Sequence, residues 1–328
     1  MLSKLIMRRI IVSLGFLLVL SIVTFFLIQL PPGDFVSTLV AQREAAGGKI
    51  PVAEIDALRQ RYGTDASMVG QYFIWIGRFV QGDFGLSYSF NQPVSMLLRE
   101  RLPMSIFITV CSFLMSYLIA IPAGILAAIK QHSFWDYLIT FIAFIGIAVP
   151  SFLLALFALF LCINVFGVNL LGFHSVQYLD APWSTAKFLD FLKHLPLPIL
   201  VAGFSGAASL TRIMRGSLLD EINQQYVVTA RAKGLKEAAL IKKYPVRLAI
   251  NPILSSVGWL LPSIISGDMI LGVVLGLPTI GPLLLDALKN QDTYLAGALI
   301  MIMGIIVVIG TFISDMLLMW ADPRIRIE

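Results

Sequence analysis

Long apolar segments constrain this chain more than any other feature of its sequence. A helix that crosses the hydrocarbon core of a bilayer needs about 20 consecutive, mostly apolar residues, and the run Ile10–Leu30 is of that kind. Apolar side chains make up 58% of the sequence and charged ones 13%, whereas charged residues are about 25% of a typical soluble domain. This composition excludes an ordinary soluble enzyme, a disordered chain and a DNA-binding domain.

Six segments have the length and composition of membrane spans. They are Ile10–Leu30, Leu102–Ile129, Tyr137–Phe166, Pro196–Ile213, Ile250–Leu277 and Leu295–Trp320. The first exceeds the apolar core of a signal peptide, which has about 7–15 residues, so we predict that it is a retained helix. The fourth is rich in Gly, Ala and Ser, which favours close packing against other helices. The sequence therefore predicts an all-α membrane protein with six transmembrane helices.

The distribution of basic residues predicts the orientation of these spans. An even number of spans places both termini on one side, which the segments 1–9, 130–136, 212–249 and 321–328 would share. These segments contain 14 Lys and Arg, whereas the two short loops on the other side contain 3. Because short cytoplasmic loops carry an excess of Lys and Arg, we expect both termini to be cytoplasmic.

The predicted spans divide a single domain of residues 1–328 into three parts. These are an N-terminal helix (1–30), a sizeable extracytoplasmic loop (31–101) and a five-helix core (102–328). Within the loop, Ser67–Val80 has the pattern of an amphipathic helix, and aromatic side chains cluster at Phe73, Trp75, Phe79, Phe84 and Tyr88. We interpret Ser67–Val80 as a helix lying at the membrane interface; contact with an extracytoplasmic protein is the alternative.

The basic segment 212–252 is the most distinctive part of the sequence. Ser217 is placed to cap a helix that continues to Ala232, and Gly234 offers the backbone freedom at which such a helix stops. A second short helix, Lys236–Tyr244, is expected to end before Pro245.

The second helix of this segment is expected to have two faces. One face would carry Leu235, Ala238, Ala239 and Ile241, and the other Lys236, Lys242 and Lys243. Charge alone is compatible with a basic helix that lies on anionic lipid. The alternative is a docking element for a soluble partner.

The string Thr229–Leu235, which reads Thr-Ala-Arg-Ala-Lys-Gly-Leu, resembles the cytoplasmic coupling loop of ABC-importer permeases of the oligopeptide/dipeptide type. Further strings resemble the family in the same order along nearly the whole chain. They are Leu30–Asp34, Tyr62-Gly63, Gln71-Tyr72, Gly82–Gly85, Arg101–Pro103, Ile121–Gly124, Pro150–Phe152, Arg212, Arg215, Ser217-Leu218, Arg247 with Pro252, and Asp322–Arg326.

The chain also departs from the family pattern. Tyr244 stands where the family often has His, and Pro245 is unusual. Leu277–Pro282 replaces the string Leu-Pro-Gly-x-Gly-Arg, and Gly272 aligns with a family Glu, while Asp268 lies one turn earlier. These differences leave the class of transported substrate open, since related permeases carry peptides, nickel, opines or oligosaccharides.

The resemblance implies a type I importer fold, in which two permeases pair around a translocation path. The partners implied are a second, distinct permease, one or two cytoplasmic ATPase subunits and an extracytoplasmic substrate-binding protein. The chain would be a non-catalytic subunit without a cofactor, and its sequence contains no P-loop string Gly-x-x-x-x-Gly-Lys-Ser/Thr. Energy would therefore arrive from the ATPase through the segment 212–252.

The resemblance also implies three groups of site residues. The ATPase-coupling loop would contain Tyr226, Thr229, Ala230, Arg231, Ala232, Lys233, Gly234, Leu235, Ala238, Ala239 and Tyr244. The translocation path would contain Ser266, Asp268 and Met269, and the contact with the binding protein Pro278, Thr279 and Gly281.

Two other classes of protein compete with the importer hypothesis. Asp268 and Asp315 are carboxylates within predicted spans. A carboxylate in a membrane costs free energy, so both residues are candidates for a function. They are compatible with a path contact, an ion-coupled secondary transporter that uses Asp268, an intramembrane aspartyl protease, or a packing hydrogen bond. The string Gly203–Gly206 matches the Gly-x-Ser-Gly of rhomboid-type proteases, and packing by small residues is the alternative.

Overall fold

The computed structural model describes residues 2–29, 67–87 and 89–321, together with positions 40, 51, 55 and 57. The side chains of residues 2–5, 28, 259, 261–268, 318, 320 and 321 are not described. The predicted family strings Pro31–Asp34, Tyr62-Gly63 and Asp322–Arg326 lie outside the described residues, as does Tyr88.

The described residues fold into helices and one short antiparallel ladder. The helices are α1 Leu2–Gln29, α2 Met68–Val80, α3 Val94–Ile129, α4 Phe134–Ala148, α5 Ser151–Asn164, α6 Thr185–His194, α7 Pro196–Ile222, α8 Gln225–Ala232, α9 Glu237–Lys243, α10 Pro245–Ala249, α11 Asn251–Ser255, α12 Val257–Val274, α13 Ile280–Lys289 and α14 Thr293–Ala321, with a 3₁₀ turn at Val176–Tyr178. The ladder pairs β1 Leu86–Ser87 with β2 Gln92–Pro93, with Leu86 opposite Pro93.

Among the described residues, four helical segments are long and apolar enough to cross a membrane, or five if α4 and α5 together form one span. The four are Ile6–Leu27, Val94–Ile129, Thr185–Ile222 and Thr293–Leu317. This establishes a mainly helical, multi-pass membrane protein. The predicted span Ile250–Leu277 is divided between α11 and α12, and since the side chains of 261–268 are not described, its role as a sixth span stays a prediction.

The predicted third span, Tyr137–Phe166, is not one helix. Its two helices, α4 and α5, meet at an angle of 108°. Pro150 lacks an N–H and disfavours the helical conformation at Val149, which is extended with φ −92° and ψ 123°. The segment is therefore either a broken span or a re-entrant pair.

The predicted helix start at Ser217 is wrong, because α7 continues through Ser217 to Ile222. Leu210, Met214 and Leu218 are fully buried and follow one another at intervals of four residues, which places them on one face of a helix. This buried stripe extends the helix past Ser217, so the polar residues that follow do not begin a new one.

The described residues form two compact units. The first takes in those of Met1–Leu2, Met104–Pro278 and Val307–Glu328, and the second those of Ser3–Pro103 and Thr279–Ile306.

Small residues of α7 bring it against α3 in the first unit. A Cβ atom on Gly203 would lie 2.7 Å from the Ser112 carbonyl oxygen and would also collide with the end of the Met115 side chain. The Ser116 hydroxyl lies 2.8 Å from the carbonyl oxygens of both Ser112 and Gly203. Close packing therefore accounts for the glycines of the string Gly203–Gly206 and confirms the expectation for the fourth predicted span.

Aromatic packing holds the second unit together. Phe25 of α1, Tyr72 and Trp75 of α2 and Met301 of α14 form a buried cluster, and the Tyr72 hydroxyl lies 2.9 Å from the Ser21 hydroxyl. The helix predicted at Ser67–Val80 is confirmed as α2, with Ser67 as its N-cap. Its buried face packs against protein, whereas Phe73 on the same helix is exposed.

We predict that Gly203→Ala destabilises the purified chain in detergent, because its methyl group would push against the α3 backbone. Overpacking of this kind costs about 1–3 kcal/mol, which would appear as a lower midpoint of thermal unfolding. Gly216 lies on the same helix, and beyond the local helix backbone no described residue comes within 4 Å of the corresponding position. Gly216→Ala is therefore the matched control and should be neutral or slightly stabilising. Equal midpoints for the two variants would contradict the packing account.

Candidate functional site

The segment from the end of α7 to α11, which we call the coupling segment, begins at a helix break that is bridged by a hydrogen bond. Asn223 ends α7, and Gln224 is extended with ψ 150° before α8 begins. The Tyr226 hydroxyl donates to the Glu221 carboxylate across the break. Burial and the Glu221 charge both oppose ionisation and raise the pKa of Tyr226. The hydroxyl thus stays protonated and able to donate.

Two short helices of the coupling segment share a small buried core. Val227 and Ala230 of α8 pack with Leu240 and Ile241 of α9, and all four are at most 7% exposed. Isolated helices shorter than about 12–15 residues are marginal in water, and α8 and α9 have 8 and 7 residues. Their mutual packing, which we call the α8–α9 core, therefore stabilises both.

Gly234 makes the turn between α8 and α9, as the sequence predicts. Its φ of +79° lies in the left-handed region, which costs residues with a Cβ atom free energy. Its N–H donates to the Arg231 carbonyl oxygen at 3.0 Å, which closes the end of α8. Apart from its chain neighbours, no described residue comes within 4 Å of the position where a Cβ would stand, so the requirement for glycine is conformational.

An ion pair closes the same turn from outside. The Arg231 guanidinium donates to the two oxygens of Glu237 at 2.6 and 3.1 Å. This bond lowers the pKa of Glu237, so the pair is present at neutral pH and is lost only as the pH falls through that lowered value. Both side chains are about half exposed, and such pairs contribute little stability; the pair orients the turn.

The prediction that Leu235, Ala238, Ala239 and Ile241 share one apolar face is wrong for Ile241. Ile241 is buried with Leu240 in the α8–α9 core, whereas Leu235, Ala238 and Ala239 are exposed. Since α9 spans only two turns, its last turn faces α8 and its first turn is left uncovered. Leu235, Ala238 and Ala239 are thus exposed apolar residues within one short stretch of sequence, and we call these three residues the ridge.

Most of the exposed residues near the ridge in sequence are basic. They are Arg231, Lys233, Lys236, Lys242 and Lys243, and Ala232 is exposed among them. Thr229 is also exposed, and its hydroxyl donates to the Gln225 carbonyl oxygen at 2.9 Å. Of the residues predicted to couple, Ala230 is buried in the α8–α9 core, and Tyr226 and Tyr244 are partly buried around it.

The far end of the coupling segment is attached to the helix from which the segment departs. Pro245 occupies the first position of α10, where no backbone donor is needed. Ala249 and Ile253 are completely buried and pack with the α7 stripe that contains Met214 and Leu218. The Tyr117 hydroxyl of α3 lies 2.8 Å from Ser256. The coupling segment therefore leaves α7 and returns to it.

The residues predicted for the path lie on α12. Of those predicted for the binding-protein contact, Pro278 and Thr279 precede α13 and Gly281 lies in its first turn. Met269 is half-buried on α12, and the side chains of Ser266 and Asp268 lie outside the described residues. Pro278 is exposed, whereas Thr279 and Gly281 are buried. Of the three residues predicted to contact the binding protein, Pro278 is therefore the one whose side chain is accessible.

Sequence reasoning missed two buried carboxylates. Asp292 accepts hydrogen bonds from Ser87 (2.6 Å), the Ser89 N–H (3.0 Å) and the Leu295 N–H (3.1 Å), so it caps α14 and holds the β1–β2 ladder. Its position one residue before α14 is a typical N-cap signal. Asp136 pairs with Arg215, 79 residues away, and no local pattern could have predicted that partner.

Comparison with known proteins identifies the family. The sequence model described as "Binding-protein-dependent transport system inner membrane component" matches residues 120–327, and the N-terminal model of such membrane components matches residues 1–109.

Curated relatives align with this chain almost from end to end. The oligopeptide transport system permease protein AppB of Bacillus subtilis is 34% identical over 322 residues, which is 98% of each chain. A putative peptide permease of Brucella suis has the same identity and coverage. The oligopeptide transport system permease protein OppB of Salmonella typhimurium is 30% identical over 325 residues, which is 98% of this chain and 99% of the relative. These matches confirm the resemblance seen in the sequence, and the chain belongs to the family of binding-protein-dependent transport system inner membrane components.

Proposed function

We propose that this chain is the permease subunit of an ATP-driven importer of peptides, and that the ridge is where a cytoplasmic ATPase docks. Family membership supports the permease role, and the names of the relatives support oligopeptides or dipeptides as the solute. The observation that carries the proposal is the coupling segment, in which the α8–α9 core is buried while Leu235, Ala238 and Ala239 stay exposed.

The ridge is suited to a partner that binds α9 and displaces it. Ala238 and Ala239 are short, so a groove on another protein can approach the α9 backbone closely. The α8–α9 core and the return through α10 and α11 fix α9 relative to α7, so a displacement of α9 is passed on to α7. The exposed lysines around the ridge would steer an acidic groove toward it.

Docking by a protein fits the ridge better than adsorption to lipid. A helix that lies in the membrane interface buries large apolar side chains such as Trp, Phe and Leu. The ridge offers one Leu and two Ala, and the larger Leu240 and Ile241 are already buried. The basic residues would then orient the chain in the membrane and steer the ATPase toward the ridge, and would not anchor α9 to lipid.

The remaining parts of the importer follow from the same proposal. Both termini would be cytoplasmic, and a second, distinct permease would complete the path that Ser266, Asp268 and Met269 line. A binding protein would meet the first loop and the surface around Pro278. The chain itself would hydrolyse no ATP. An ion-coupled transporter is disfavoured, because the family is defined by dependence on a binding protein.

The double substitution Ala238→Asp with Ala239→Asp should release the ATPase. Unpaired charges buried at an interface cost about 2–5 kcal/mol each, so the ATPase subunit that copurifies with the wild-type chain should be recovered at less than about a tenth of the wild-type level. The variant should still insert into the membrane. Undiminished copurification would contradict the docking site.

The matched control is Asn223→Asp with Gln224→Asp. Both residues are exposed in the same segment and lie outside the ridge, so this variant adds the same two charges beside α8. Wild-type recovery of the ATPase is expected, which separates local burial from a general effect of negative charge.

Gly234→Val should weaken ATPase binding by about 5- to 30-fold, since a β-branched residue in the left-handed region costs roughly 1–2 kcal/mol. Gly234→Asn should have a smaller effect, because Asn tolerates that conformation. Titration of the ATPase against the chain in lipid nanodiscs measures both affinities. Equal affinities for the two variants and the wild type would show that docking does not need this turn.

Asp268→Ala should change the rate of peptide uptake or the basal ATPase rate of the reconstituted complex, because Asp268 is proposed to line the path. Uptake by the wild type should require ATP and should persist when the proton gradient is dissipated. ATP-independent uptake that Asp268→Asn abolishes would favour the ion-coupled alternative. Unchanged uptake and ATPase rates in Asp268→Ala would assign the carboxylate to packing.

A further inference from the structure

An ion pair between a buried carboxylate and a partly exposed guanidinium joins the start of α4 to the helix that leads into the coupling segment. Arg215 Nε donates to Asp136 Oδ1 at 2.6 Å, and Nη2 donates to Oδ2 at 2.8 Å. The His132 N–H and the Thr140 hydroxyl donate to the same carboxylate at 3.0 and 3.3 Å. Asp136 is 2% exposed. A two-pronged bond of this kind fixes both the distance and the angle between its partners.

The remaining contacts between α4 and α7 hold the helices close with less directionality. Gly146 faces Ala208, where an added Cβ would come within 2.7 Å of the Ala208 Cβ. The Arg212 guanidinium carbon lies 5.0 Å from the centre of the Phe144 ring. Apolar packing of this kind is not directional. The bond at Asp136 adds to it a constraint on both the distance and the angle between α4 and α7.

Arg215 also lies close to the point at which the coupling segment departs. It precedes Glu221 by roughly two helical turns, and Glu221 accepts the Tyr226 hydroxyl across the helix break. Leu218, between Arg215 and Glu221, is completely buried, so this end of α7 is held firmly. A displacement of the ridge would thus reach Arg215 through a short and well-packed stretch of chain.

We propose that the Asp136–Arg215 pair is a positioning contact that makes α4 move with α7 when the ATPase displaces the ridge. The inference rests on the proposed function and adds the route by which the ridge acts on the helical core. Apolar residues of similar volume often stabilise a fold as well as a buried ion pair does. What the pair adds is a fixed direction of transfer from α7 to α4.

The direct test is a distance measurement across the joint in the assembled complex. Spin labels are attached at Tyr137→Cys on α4 and Asn223→Cys at the end of α7, both exposed positions, with Cys111 and Cys162 replaced by Ala. In the wild-type background, ATP with vanadate should leave the distance distribution unchanged. In Asp136→Asn and Arg215→Lys, it should shift or broaden by about 2 Å or more, the scale of helix shifts in switching proteins.

A second measurement is the number of ATP molecules hydrolysed per peptide taken up, with a randomised tripeptide mixture as the probe and mass spectrometry as the readout. Asp136→Asn and Arg215→Lys should raise this number about tenfold, within the range of typical coupling between sites, while the ATPase still copurifies. Asp220→Asn is the matched control, because it removes a charge from the exposed side of α7 and should match the wild type.

Several outcomes would overturn the inference. Wild-type distances and a wild-type ATP requirement in both variants would show that α4 follows α7 without the pair. If the variants form less assembled complex but each complex has the wild-type distances and the wild-type ATP requirement, the pair serves only to stabilise the structure. A wild-type chain that recovers no ATPase would instead refute the proposed function, and that result is seen before any variant is compared.

Discussion

The buried stripe on α7 is the interaction on which the candidate site depends. Leu210, Met214 and Leu218 are completely buried and pack with Ala120 and Ala128 of α3. The same stripe packs with Ala249 of α10 and Ile253 of α11, which follow α8 and α9 in the coupling segment. One helix face therefore holds the beginning and the end of that segment, and the surface between them is fixed to the helical core at both ends.

This arrangement explains how two very short helices can form a defined surface. The α8–α9 core provides four buried side chains, and Gly234 and Pro245 set where each helix ends and the next begins. Thr229 and residues 231–239 are exposed, so within the family string Thr229–Leu235, Ala230 is the one buried residue. The buried side chains on the inner side fix the conformation of the segment, and the exposed side chains on the outer side remain accessible for binding.

Local chemistry was sufficient to predict some of these features. The apolar runs predicted the long helices, and the Gly234 and Pro245 boundaries follow from backbone conformation alone. The α2 helix was predicted from its amphipathic pattern. The break at Pro150 was missed, because proline is tolerated in some membrane helices and its effect depends on the surrounding packing.

Features that depend on distant partners could not be predicted. Ser217 has the chemistry of a helix cap, but the burial of Leu218 keeps it inside α7. Ile241 and Ala238 look equivalent in sequence, and only the position of α8 decides that one is buried and the other exposed. The partner of Asp136 is 79 residues away, a separation that no local pattern encodes.

Photo-crosslinking from the ridge tests the central claim most directly. A benzophenone attached at Ala239→Cys, in a chain whose Cys111 and Cys162 are replaced by Ala, should form an adduct with the ATPase subunit in membranes that contain the full complex. Leu248→Cys is exposed on α10 of the same segment and should give little or no such adduct. No ATPase adduct from position 239, or equal adducts from both positions, would contradict the assignment of the ridge as the surface where the ATPase docks.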